Sequence, residues 1–69
     1  MNSTKPKFPN VHVKFSDSNG NVFVLIGNTM TAMRRCGIDE DAITAFKKEA
    51  ESGDYDHAIQ TAMAYVEVD

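Results

Sequence analysis

The chain has 69 residues, 42% hydrophobic and 25% charged, with a net charge of −3. Those proportions suit one ordinary globular domain and exclude an intrinsically disordered chain, and a chain so short buries only about 60% of its unfolded surface, leaving little room to enclose a substrate. Cys36 is the single cysteine, which excludes an intrachain disulfide and a thiolate zinc cluster within one chain.

A small secreted domain ordinarily needs disulfide staples, so a reducing cytoplasm is the expected location. Residues 1–10 lack the apolar run of a signal peptide. No segment reaches the roughly 18 to 20 apolar residues that a membrane span requires, so no membrane association is expected. The charge is unevenly placed: residues 1–38 sum to +4 and residues 39–69 to −7. Such halves can face each other within the fold or steer a charged partner.

In chain order, residues 1–10 are polar, hold both prolines and show no periodicity, which predicts a flexible tail. Val11-His12-Val13-Lys14-Phe15 alternates strictly and predicts a half-buried strand, with Val11, Val13 and Phe15 facing the core. Ser16 to Asn21 is a turn cluster. The following segment reads as a helix over 21–36 rather than the second strand of a hairpin, because it does not alternate. On a helical wheel Val22, Phe23, Leu25, Ile26, Met30, Ala32, Met33 and Cys36 share one wide face. Asn21 is placed to cap that helix and Gly37 to stop it. If the strand is too short to cover this helix, part of the wide face is left for a partner.

Asp39 caps a second helix, Glu40 and Asp41 suit its positive end, and Lys47 and Lys48 lie toward its negative end. Ile38 and Ile43 have the spacing of a hydrophobic staple. Ile43, Phe46 and Ala50 form the buried stripe, and Gly53 ends the helix. Asp54 caps a third helix with Tyr55, Ala58, Ile59, Ala62, Met63 and Val66 on its apolar face. Its outer face carries Asp56, His57, Gln60, Thr61 and Ala64. Tyr65-Val66-Glu67-Val68 alternates and predicts a short strand, for which pairing with the first is the economical arrangement. The expected fold is therefore a small single α+β domain over 11–69: an N-terminal strand, three helices and a short C-terminal strand.

Asp17-x-x-Gly20-Asn21-x-Phe23-x-x-Ile26-Gly27, Arg34-Arg35-x-Gly37, Glu49-Ala50-x-Ser52-Gly53-Asp54-Tyr55-Asp56-His57 and Thr61-Ala62-Met63-x-x-Val66-x-Val68 together resemble a family of short bacterial and phage proteins. The resemblance spans roughly residues 11–68. Family members carry alanine where Val22 and Val24 stand here, which favours the helix, and tryptophan where Tyr65 stands. No activity, cofactor or binding residue is established for that family, so the resemblance implies none here.

Asp54, Asp56 and His57 form the best candidate site. Asp54 and His57, three apart at a helix start, could converge on a metal, but two ligands do not fill a coordination shell. A structural account covers them too: Asp54 caps, Asp56 complements the dipole, and His57 reaches back as in a capping box. Asp17 to Asn21 has the wrong spacing for a calcium loop. Nothing in the sequence brings Cys36 and His57 together as nucleophile and base, and Cys36 reads as packing. Arg34 and Arg35, with Lys5, Lys7 and Lys14, could touch phosphates, yet arginines near a helix C-terminus also serve the helix itself. No recognised nucleic-acid motif is present. Met30, Met33 and Met63 fall on helix faces with core residues and read as core filler.

With no convergent catalytic constellation, the expected role is non-enzymatic and needs no cofactor. It is a protein-interaction module with an unknown protein partner or a second copy of itself, contacting through Arg34, Arg35, Asp54, Asp56 or His57. The runner-up is a nucleic-acid-associated regulatory protein using Arg34 and Arg35, and the third is a small metal-dependent protein using Asp54 and His57.

Overall fold

The computed structural model describes residues 6–69. In chain order they form β1 (Phe8–Val13), α1 (Val22–Arg35), α2 (Glu40–Glu51), α3 (Tyr55–Tyr65) and β2 (Val66–Val68). A 3-10 turn at Phe15–Ser18 joins β1 to α1. This is the expected small α+β domain, and the terminal strand pairs with the first, in parallel.

The first strand begins earlier and ends sooner than its alternation predicts. Of the predicted tail, residues 1–5 lie outside the described residues, while Phe8, Pro9 and Asn10 belong to β1. Lys7 N–H donates to the Ala64 carbonyl at 2.9 Å, and the Phe8 ring packs on Tyr65 at 6.3 Å between centroids. The register then shifts: Phe8 pairs with Val66, but His12 is already opposite Glu67. Pro9 sits in that irregularity, where its missing N–H disrupts no ladder bond. Beyond Val13 the chain turns, so Phe15 opens the 3-10 turn and is half-buried rather than a strand residue. Its N–H still reaches the Asp69 carbonyl at 3.1 Å.

All three helices start on the predicted caps. Asn21 accepts from Phe23 N–H, Asp39 from Ala42 N–H and Asp54 from His57 N–H, each at 2.9 Å. Each side-chain oxygen satisfies an N–H that has no partner within its helix. Gly37, at φ +81°, takes the left-handed conformation that ends α1. The turn before α1 uses the same region twice in succession, at Asn19 and Gly20.

The core is one cluster with Phe46, Leu25, Met33, Ile43, Val11 and Val66 as its largest fully buried members. Burying each such side chain contributes about 1.5 to 3 kcal/mol against the chain entropy. Tyr65 ties the layers together. Its ring meets Phe46 edge-on at 5.2 Å, and the Lys7 ammonium lies 5.1 Å from its centroid.

The buried faces are rotated from the predicted ones at several positions. On α1 the buried residues are Leu25, Ile26, Thr29 and Met33, whereas Phe23 is 73% exposed. Phe23 lies roughly 100° around the helix from the centre of that stripe, and a two-stranded sheet does not extend far enough to cover it. On α3 Thr61 is buried, while Met63 is 55% and Tyr55 46% exposed. Thr29 and Thr61 enter the core without an orphaned hydroxyl, because each donates to the carbonyl four residues earlier, at 2.7 and 2.8 Å. Cys36 is exposed just past α1 rather than packed, its thiol 3.9 Å from the Asn10 carbonyl.

Candidate functional site

The Ser52–His57 block is the corner between α2 and α3. α2 ends at Glu51 with Ser52 as its C-cap, so Gly53 follows the helix end as expected, though its φ is not left-handed. The His57 ring folds back across the corner, placing Nε2 2.9 Å from the Glu49 carbonyl oxygen and 3.3 Å from Glu49 Oε2. A carbonyl only accepts, so Nε2 carries the proton in this contact. Ser52 Oγ donates to the same carbonyl at 2.7 Å. His57 therefore closes the end of the preceding helix instead of completing a capping box on its own. The ring also accounts for Gly53: a Cβ there would stand 2.7 Å from His57 Cγ.

This arrangement separates the proposed metal pair. Asp54 Oδ1 accepts the backbone N–H of His57, while the His57 ring is turned toward α2. Asp56 is exposed in the first turn of α3. Among the described residues no three His, Cys, Asp or Glu side chains are grouped to hold a metal ion. Cys36 meets Asn10 whereas His57 meets Glu49 and Ser52, so the thiol and the imidazole share no partner among the described residues.

The two arginines are also parted. Arg34 makes a two-pronged bond to Glu40, Nε to Oε2 at 2.8 Å and Nη2 to Oε1 at 3.2 Å. That hydrogen bond, more than the charge attraction, raises the Arg34 pKa and lowers that of Glu40. Arg35 instead lines an open groove of mixed character, about 790 Å³, beside β1, together with His12 and Lys14. Asp17 and Asp69 line the same groove, so its cations are partly offset. Lys5 lies outside the described residues.

A second, more apolar groove of about 450 Å³ opens where α1 and α3 begin and α2 ends. Val22, Ile26, Ala50 and Ala58 line it with the exposed rings of Phe23 and Tyr55. Tyr55 is anchored there by its hydroxyl, which donates to the Gly20 carbonyl at 3.1 Å. Met63 is exposed two turns along the same flank of α3 as Tyr55. Phe23 belongs to the wide face of α1, part of which the sequence leaves for a partner if the strand is too short, whereas Tyr55, expected on the apolar face of α3, is instead 46% exposed. The available signal was the length of the sheet: six plus three residues of strand cannot roof a fourteen-residue helix.

Among the described residues no helix is long and apolar enough to cross a membrane. No family model, curated protein or solved structure matches the chain.

Proposed function

We propose that this protein is a small non-catalytic protein-interaction module of the bacterial or phage-infected cytoplasm, and that its partner docks over the groove between Phe23 and Tyr55. The observation that carries this reading is the exposure of Phe23, 73%, on a chain with six aromatic residues in all. Single exposed apolar residues are ordinary on protein surfaces. Two aromatic rings flanking one apolar groove are the composition of an interface centre. The groove replaces Arg34, Arg35, Asp56 and His57 as the expected contact surface, with Asp54 retained at its edge. An exposed lone thiol, Cys36, fits a reducing compartment.

The nucleic-acid reading has less behind it. Arg34 is engaged by Glu40, and Arg35 shares its groove with Asp17 and Asp69. Affinity capture from lysate, with and without nuclease, distinguishes the two using wild type and Phe23→Gln as bait. A protein retained by wild type under both conditions and lost with Phe23→Gln is the expected result. Capture abolished by nuclease and unaffected by Phe23→Gln would overturn the proposal.

A further inference from the structure

The Phe23–Tyr55 groove is apolar along its length but acidic at its edge. Glu51 and Asp54 line it, and among the described residues no lysine or arginine does. Glu51 is exposed and, among the described residues, engaged in no ion pair, whereas Glu40 pairs with Arg34. Asp54 commits one oxygen, Oδ1, to the N–H of His57. The end of α2 brings its carbonyl dipoles to the same place, opposed by the start of α1, whose first turn holds no acid, so the two carboxylates carry the sign of the rim. α3 begins there too, and Asp54 and Asp56 offset its positive end. Residues 39–69, which supply this side of the groove, carry a net charge of −7.

Resting on the interaction reading above, we infer that the occupant is a cationic amphipathic peptide segment of another protein. Its apolar side chains lie between Phe23 and Tyr55, and its lysine or arginine residues sit beside Glu51 and Asp54. Charge complementarity selects this partner over an acidic one, because a carboxylate brought to an acidic rim is repelled and loses its water for nothing. A second copy of this chain is the competing occupant, since Arg34 and Lys7 are engaged but Lys14, Arg35, Lys47 and Lys48 are exposed, and the mass in solution separates the two.

Selection from a random twelve-residue peptide display library against the full chain tests this without presupposing a partner. Binders are counter-screened on Phe23→Gln and Glu51→Lys, both changes at exposed side chains. The expected binders pair apolar anchors with flanking Lys or Arg and lose binding on Phe23→Gln. They also weaken about tenfold on Glu51→Lys, the size of effect that a close interfacial charge pair gives. Binders that need Phe23 but carry neutral or acidic flanks and ignore Glu51→Lys would overturn the cationic partner and leave the docking surface standing. Binders that ignore Phe23→Gln would overturn both. Light scattering that finds twice 7.6 kDa for wild type and 7.6 kDa for Phe23→Gln would assign the groove to a second copy and overturn the cationic partner alone.

Discussion

His57 Nε2 lies 2.9 Å from the main-chain carbonyl of Glu49, so the first turn of α3 closes the last turn of α2. This contact explains why the corner carries glycine at position 53. Its φ is not left-handed, so alanine would be conformationally acceptable. What excludes alanine is the His57 side chain, whose Cγ and Cβ lie 2.7 and 2.9 Å from where the new Cβ would be.

Gly53→Ala is therefore expected to lower stability by about 1 kcal/mol in the wild-type background, through loss of the ring's hydrogen bond. In a His57→Gly background, which removes the Cβ as well as the ring, the same substitution should be neutral or stabilise by about 0.4 to 1 kcal/mol, its normal effect on the unfolded chain. Urea melts of the four variants give this coupling directly. An equal cost in both backgrounds would show that something other than the His57 side chain fixes Gly53.

Phe46 is fully buried and in contact with Tyr65. Truncating such a residue to alanine costs about 3 to 5 kcal/mol. A single core in a chain of this length supplies no more than about 3 to 5 kcal/mol in total. Phe46→Ala should accordingly be largely unfolded at 25 °C, seen as loss of helical circular dichroism. A cooperative melt near the wild-type temperature would mean that the core extends well beyond this cluster.

The Arg34–Glu40 pair gives a signed pH dependence. Glu40 has its pKa lowered in the folded state, first by the Arg34 hydrogen bond. Its contribution is thus complete above the unfolded glutamate value, about 4.3, and is lost as pH falls through the lower folded value. Arg34, raised, keeps its share at all but strongly alkaline pH. Glu40→Gln should flatten the acid limb of a urea-midpoint profile below about pH 5 and leave it unchanged above. The difference should be small and fade in high salt, because the side chains are 52% and 66% exposed. A difference that persists in molar salt would contradict this account.

Phe23→Gln probes whether the exposed ring serves the fold. Little of its surface is buried, so stability should change by no more than about 0.5 kcal/mol. The thermal midpoint checks this. A fall of the size seen for core truncations would make Phe23 a core residue and remove the surface argued for above.

Local chemistry was legible in the sequence and coverage was not. Asn21, Asp39 and Asp54 were identifiable as caps because a cap depends only on a side chain and the next two or three N–H groups. Ile43, Phe46 and Ala50 fell on the buried face as their spacing predicts. Phe23, Tyr55 and Met63 did not, because apolar character records what a helix can bury, whereas the length of the neighbouring strands decides what it does bury. Thr29 and Thr61 were hidden for the converse reason, their hydroxyls being satisfied inside their own helices. For the candidate site, Asp54 and His57 drew notice as potential ligands, and their geometry makes them parts of a corner.

The central claim is that a partner docks on the Phe23–Tyr55 groove, and backbone amide chemical-shift mapping of the labelled protein with its captured partner tests it most directly. The account predicts shifts concentrated at Phe23, Ile26, Glu51, Gly53 and Tyr55. Shifts gathered instead at His12, Lys14 and Arg35, along the groove beside β1, would contradict it.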